Sequence, residues 1–435
     1  MLTPQLSYGA NAVTLTFNAS PLAAQLPQSA TPLELSFAKS LDGLRASNYA
    51  SLSSLYGAVD LLDPRSLGLA LNGLSPHVAV EASGFYQQQN AQMFDLVTDR
   101  MALLGSGQVT EGRIDAVGLS GGVAGLASAP AATQFAAAQS SLTRSFSGQQ
   151  LPGVVLGGGM SGFISGGVET RRSQLSQGSL QGTDRRNWHM AMGLEMPLGD
   201  RSKLGIAVLH AEGISGRGGM QTEVVSSQAA AYATWQLSPR AYLGGAATMG
   251  VNHIGLQRQS WVDNSALNLT GRGTSFSYAV QAEAGYRQPL GGWGAITPHI
   301  GLRQSSFSID RLNERGGQAA LRLSNIGQSQ LDMRVGLRFD AKAGLGSGWQ
   351  LSPRAEVEYV RTLVGGQGEM TVQFAAVDAA GFVLPFGGQS GSALRAKGGL
   401  TLSRQQTSLT LAGSSEQDWA GRRDNRVAAE LRFGF

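Results

Sequence analysis

The chain has 435 residues, of which 14% are charged; it holds 60 glycines, no cysteine and a formal net charge of +4. Without cysteine there are no disulfide frameworks, thiolate metal sites or cysteine nucleophiles. The charged fraction is far below the quarter usual in soluble domains. The basic residues are scattered singly or in pairs, which argues against a nucleic-acid partner. No apolar run reaches the roughly eighteen residues that a transmembrane helix needs.

The first zone, residues 1–20, contains Ala12-Val13-Thr14-Leu15-Thr16-Phe17, a short strand with alternate apolar positions. The segment starting at Met1 has neither a basic stretch nor an apolar core, so it is no export signal. The expectation is a processed or truncated chain, or a start assigned inside a longer reading frame.

The second zone, residues 33–150, reads as helical and then irregular. Thr31-Pro32 places an N-cap before a proline at the first helical position. Leu33, Phe37, Leu41 and Leu44 then recur at helical spacing, Leu52, Leu55, Val59 and Leu62 continue it, and Asp63-Pro64 marks a break. A further helix is expected from Val78 to Leu104. Residues 105–130 are rich in Gly, Ala and Ser, as in a linker, and 131–146 could form one more helix.

The third zone, residues 155–435, is a series of two-faced strands. In Leu331–Asp340 each odd position is apolar and each even one is charged or Gly. Twelve strands are expected near 160–171, 186–197, 202–213, 221–236, 241–255, 274–288, 295–308, 329–340, 350–361, 391–403, 407–413 and 426–435. The connections alternate. Short ones lie at 198–201, 237–240, 290–293, 342–348 and 404–406. Long polar ones lie near 172–185, 214–220, 256–273, 309–328, 362–390 and 414–425. Strict alternation of this kind belongs to an all-β membrane protein, a 12-stranded antiparallel up-and-down transmembrane β-barrel preceded by an α-helical and irregular linker. Only a closed barrel satisfies every backbone group within lipid when no helix spans it. Trp188, Trp235, Tyr242, Tyr286, Trp293, Tyr359, Phe433 and Phe435 lie near strand ends and suit an interfacial girdle.

The last strand, Arg426–Phe435, puts Leu431, Phe433 and Phe435 toward lipid and Glu430 and Arg432 inward. By the same alternation Glu195, Glu283, Arg303, Arg334, Arg338, Glu356, Glu358, Arg395 and Lys397 face the lumen. These charges either pair with one another or simply solvate the interior.

No catalytic, cofactor or metal site is expected. His77, His189, His210, His253 and His299 have no metal-ligand spacing. Gly118–Gly122 matches G-x-S-x-G, but Ser120 sits in a Gly/Ala/Ser-rich linker instead of a strand-to-helix turn. His253 followed by Asp263 is the loose pairing on which a barrel hydrolase would rest.

The order of these parts resembles the autotransporter (type V secretion) translocator: a passenger-like strand, a helical region with Leu52, Leu55, Leu71, Asn72 and Leu74, a twelve-strand barrel and a terminal Arg432-Phe433-Gly434-Phe435. The resemblance implies a Gram-negative outer-membrane barrel that anchors and exports an N-terminal passenger, of which residues 1–20 are the remnant. It implies insertion into the outer-membrane lipid bilayer by the barrel-assembly machinery, which reads a C-terminal strand ending in Phe. It also implies a helix inside the pore, drawn from the linker, within 131–155 on this reading, and contacted by the lumen charges. Family members that cleave their own linker do so at paired Asn residues, and none occurs between Gly105 and Gly159. A passive porin-like channel is the alternative, with a barrel hydrolase behind it.

Overall fold

The computed structural model describes residues 2–28, 30–105, 160–174, 183–217, 220–262, 265–377, 381–386, 391–419 and 423–434. The N-terminal hairpin pairs β1 (Leu2–Tyr8) with β2 (Val13–Ala19). The helices follow as α1 (Leu22–Gln25), α2 (Pro32–Asn48), α3 (Ser53–Val59), α4 (Pro64–Leu74) and α5 (His77–Gly105). Twelve long strands complete the chain: β3 (Ser161–Gln174), β4 (Thr183–Pro197), β5 (Ser202–Arg217), β6 (Met220–Gln236), β7 (Ala241–Val262), β8 (Ser265–Tyr286), β10 (Gly294–Arg315), β11 (Leu321–Ala341), β13 (Trp349–Phe374), β15 (Ser392–Arg404), β16 (Thr407–Asp418) and β17 (Arg423–Gly434). Three short strands, β9 (Gln288–Pro289), β12 (Ala343–Gly346) and β14 (Phe382–Phe386), decorate them. Each long strand pairs antiparallel with its sequence neighbour, and β17 pairs with β3, so the sheet closes on itself with no free edge.

The middle of the barrel shows the alternation that a membrane wall requires. On β8, Phe276, Tyr278, Val280 and Tyr286 are exposed, while Ser275, Ser277, Ala279, Gln281 and Glu283 are buried. The ten-residue rise from Phe276 to Tyr286, tilted by about 40°, covers about 25 Å, the height of an apolar band. Trp235, Tyr286, Trp293 and Trp349 ring the short-turn end of the outer surface, and Tyr359 meets Trp419 edge-on toward the other end. Tyr242 departs from the girdle expected for it. It shares the inward face of β7, and its hydroxyl donates to Glu283 Oε1 at 2.5 Å. Its position near a turn signalled the interface, but strand phase decided the face.

Above the band much of three long loops expected at 214–220, 256–273 and 309–328 is paired strand. β7 and β8 stay paired out to Val262 and Ser265, β5 and β6 out to Arg217 and Met220, and β10 and β11 out to Asn313 and Arg322. Here the faces invert, since Gln257 and Gln259 are exposed while Ile254 and Leu256 are buried. On β10 a register shift between Ile309 and Leu312 moves the buried set from odd to even positions, so that Leu312 points inward. On β13 the turn through Gly365 and Gly366 has positive φ, and a Cβ on Gly365 would lie 2.0 Å from Ser329 O.

The inverted faces enclose α1–α4. Thr31 and Glu34 form the reciprocal capping box that starts α2. Asp63-Pro64 is a start rather than only a break, because the Asp63 carboxylate accepts from Arg65 N and Ser66 N and opens α4. Phe37, Leu41, Leu55, Tyr56, Leu67 and Leu71 are fully buried with Phe307, Leu321, Met370 and Phe374 of the wall. Arg45 grips Asp60 through two bonds of 2.6 and 2.7 Å and lies over the Tyr56 ring, whose hydroxyl burial pushes up to about 12. Arg258 ties this bundle to the barrel, bonding Gly73 O at 2.6 Å and Glu314 at 2.6 and 2.8 Å in an almost fully buried pair.

Candidate functional site in the barrel lumen

At about 1.5 Å per residue, the 29 residues of α5 extend about 43 Å, enough to cross the whole band. Its side chains bond to strands on opposite sides of the ring, which places it inside the barrel. Glu81 accepts from Ser215 of β5 at 2.7 Å and pairs with Arg185 of β4. Tyr86 donates to Tyr278 O of β8 at 3.0 Å. Gln88 and Gln92 donate to the two oxygens of Glu169 on β3 at 2.8 and 2.6 Å.

The helix lies between two unlike walls. Met93, Phe94, Leu96 and Val97 are buried with Ala191, Ala207, Leu209, Ala211, Ala230, Ala246 and Ala279, contributed by β4–β8. Small residues let the helix approach. At Gly213 a Cβ would lie only 2.5 Å from the Phe85 ring. On the far side Asp95 accepts from Lys397 Nζ at 2.8 Å and from Arg426 Nη1 at 3.0 Å, with Arg395 3.7 Å away. Arg426 also reaches Glu169 at 2.8 Å.

All of the lumen charges named from the sequence lie on the inner face, and most are joined into one network. Glu358 pairs with Arg334, and Glu356 bonds Arg338 at 2.9 Å and Lys397 at 3.3 Å. Arg338 also reaches Glu283 at 3.6 Å. Arg395 lies 4.0 Å from Glu358. Glu430 and Arg432 pair at 3.0 Å on β17. Glu195 stands apart, accepting from Ser161 and Tyr232 at 3.1 and 2.7 Å. Arg303 donates twice to Gln281 Oε1, at 2.8 and 2.5 Å, and stacks 4.3 Å over the Phe94 ring.

Sequence spacing missed Asp95 and Glu169, the acids that tie α5 to the wall. Only a known helix position makes Asp95 meet Lys397, some three hundred residues later. It also missed that His299 meets Glu356 and Glu358, with possible ligand atoms within 4.8 Å of one another. Arg334, Arg338 and Lys397 already neutralise those carboxylates, and their charges would oppose a metal cation. His253 lies on the outer face of β7 beside Thr274, while Asp263, Ser120 and Phe435 fall outside the described residues. So does 131–155, the segment expected to fill the pore; among the described residues the lumen helix is α5. Leu431 and Phe433 pair with Leu409 and Thr407 on one side and with Gly166 and Ile164 across the closing seam.

The Autotransporter beta-domain family model matches residues 163–414, more than half of the chain. No curated protein sequence matches it. Among solved structures, the translocator domain of the autotransporter NalP from Neisseria meningitidis is similar at 15% identity and a TM-score of 0.48, covering 70% of this chain and 97% of that one. The beta domain of the Bordetella autotransporter BrkA aligns at 16% identity and a TM-score of 0.45, over 63% of this chain and 100% of that one. The transport unit of AIDA-I from Escherichia coli aligns at 14% identity and a TM-score of 0.39, over 64% and 90%. The chain belongs to the autotransporter β-domain family, and its barrel is the outer-membrane translocator of an N-terminal passenger.

Proposed function

We propose that α5 is the segment left in the lumen once the passenger has been exported, and that α1–α4 cover the β6–β14 side of the outer mouth above it. The observation that carries this reading is Asp95, paired with Lys397 and Arg426 across the lumen while the apolar side of α5 packs on the alanine-lined wall. In this reading Leu431, Phe433 and Phe435 form the signal that the barrel-assembly machinery reads, and the remaining lumen charges hold the helix and hydrate the interior. The barrel does no chemistry of its own. Purified chain in planar bilayers passes little current, and removing residues 1–155 opens a large conductance. Unchanged conductance after that deletion overturns the seated-helix reading. Deleting Phe435 lowers the outer-membrane level of heat-modifiable barrel far more than Phe17→Ala does; equal levels count against the assembly signal. Peptide and ester substrates are not turned over, and turnover lost on His253→Ala would establish an enzyme.

A further inference from the structure

The lumen is not filled evenly around α5. Mainly on the β10–β17 side the described residues line two open cavities, one of about 650 Å³ that also reaches β3–β5 and β8, and one of about 190 Å³ that also reaches β3. Arg303, Arg334 and Arg426 line both, so the level of these three side chains is the waist between them. Asp95 lines the larger cavity at that waist and is held there by Lys397, Arg395 and Arg426.

The lining charge is unequal. Nine cationic and six acidic side chains line the larger cavity, while the smaller has five of each. At the waist Arg303 is 9% exposed, and its hydrogen bonds go to the neutral amide of Gln281. None of the ion pairs among the described residues compensates it. A cleft with a surplus of fixed cations and low-dielectric walls concentrates small anions and repels cations.

We propose that the translocator with α5 seated is also an anion-selective pore, passing small inorganic anions such as chloride along the β10–β17 side of the helix, with Asp95 as the residue that limits their passage. Asp95 is the acid that α5 supplies at the waist. It opposes an approaching anion and occupies three cations that would otherwise attract one. Arg303 supplies the selectivity, because among the described residues it forms no ion pair and its hydrogen bonds go to the Gln281 amide. The inference rests on α5 being seated in the lumen as proposed above.

The test is the purified full-length chain in planar bilayers under a potassium chloride gradient, with heat-modifiable gel mobility verifying each folded barrel. The expected result is a small conductance whose reversal potential follows chloride. Asp95→Asn raises it about threefold or more, with stronger chloride preference, because a ring of charge at a constriction governs both rate and selectivity. Arg303→Gln weakens the chloride preference, and it tests the idea by itself should Asp95→Asn fail to assemble. Folded barrels that are silent or potassium-selective, in wild type and variants alike, overturn the anion path and leave the seated helix standing. A large unselective current from the wild type overturns both, because it shows α5 displaced.

Discussion

Two levels of one barrel wall solve opposite problems with the same strands. Within the lipid band the wall is apolar outside and charged inside, as at Val280 beside Gln281 and Glu283. Above it, β7 turns polar outside at Gln257 and apolar inside at Ile254 and Leu256, and the helices α1–α4 fill the interior. The lower level is stabilised by lipid around it and ion pairs within it. The upper level is built like a soluble domain, with a hydrocarbon core behind a wet surface. The face pattern therefore reports the solvent on each side of the sheet, and the boundary of the membrane can be read from where it inverts.

The contrast is open to attack from either level. Phe37→Ala empties a fully buried site against Phe374 and Phe382 and costs the upper level about 3–5 kcal/mol. Proteolysis of the helical bundle measures this, and the barrel's gel mobility stays unchanged. Loss of the folded barrel in this variant would show that the two levels are not separable. Val280→Arg, near the middle of the band, costs about 2–4 kcal/mol in barrel stability against denaturant in lipid. An exposed polar position above the band behaves differently, and Gln257→Arg stays within about 0.5 kcal/mol of wild type. Equal costs for these two variants would remove the inversion as a membrane marker.

Thr31→Ala removes one side of the capping box and lowers the stability of the bundle by about 1 kcal/mol. The smallest effect expected is on pH. Hydrogen bonds from Ser66 hold the Asp63 carboxyl below its ordinary range. A carboxylate with a depressed folded-state pKa adds stability above the unfolded value near pH 4, and loses it as pH falls through the folded value. Protease protection of α4 therefore drops slightly below about pH 4, and Asp63→Asn removes that pH dependence.

Much of this architecture was legible in the chain because a barrel strand touches two solvents and must alternate. Leu331–Asp340, Phe276–Tyr286 and Arg426–Phe433 each announce both faces without reference to any neighbour. The N-cap at Thr31 and the helix beginning near Val78 were legible for the same local reason, whereas the Glu34 half of the capping box was not read. The ends of the hairpins were not. Backbone pairing does not require apolar alternation once lipid is left behind, so residues 256–273 and 309–328 read as loops while the ladder continued into them as far as Val262 and Ser265, and Asn313 and Arg322. Nor was the site legible as a whole. The lumen charges could be named from strand phase, but their partners come from strands far apart in sequence and from a helix whose place in the pore carries no sequence mark.

By itself, then, the sequence determined twelve strands, which residues face outward, the helical nature of the segment before the barrel, and the family to which these belong. Those properties follow from period and local hydrogen bonding, which act over a few residues. Only the tertiary structure decided that α5 occupies the lumen, that alanines form one wall and ion pairs the other, and that Asp95 meets Lys397 and Arg426. Each of those depends on closing the sheet, which sets side chains from opposite strands around one interior.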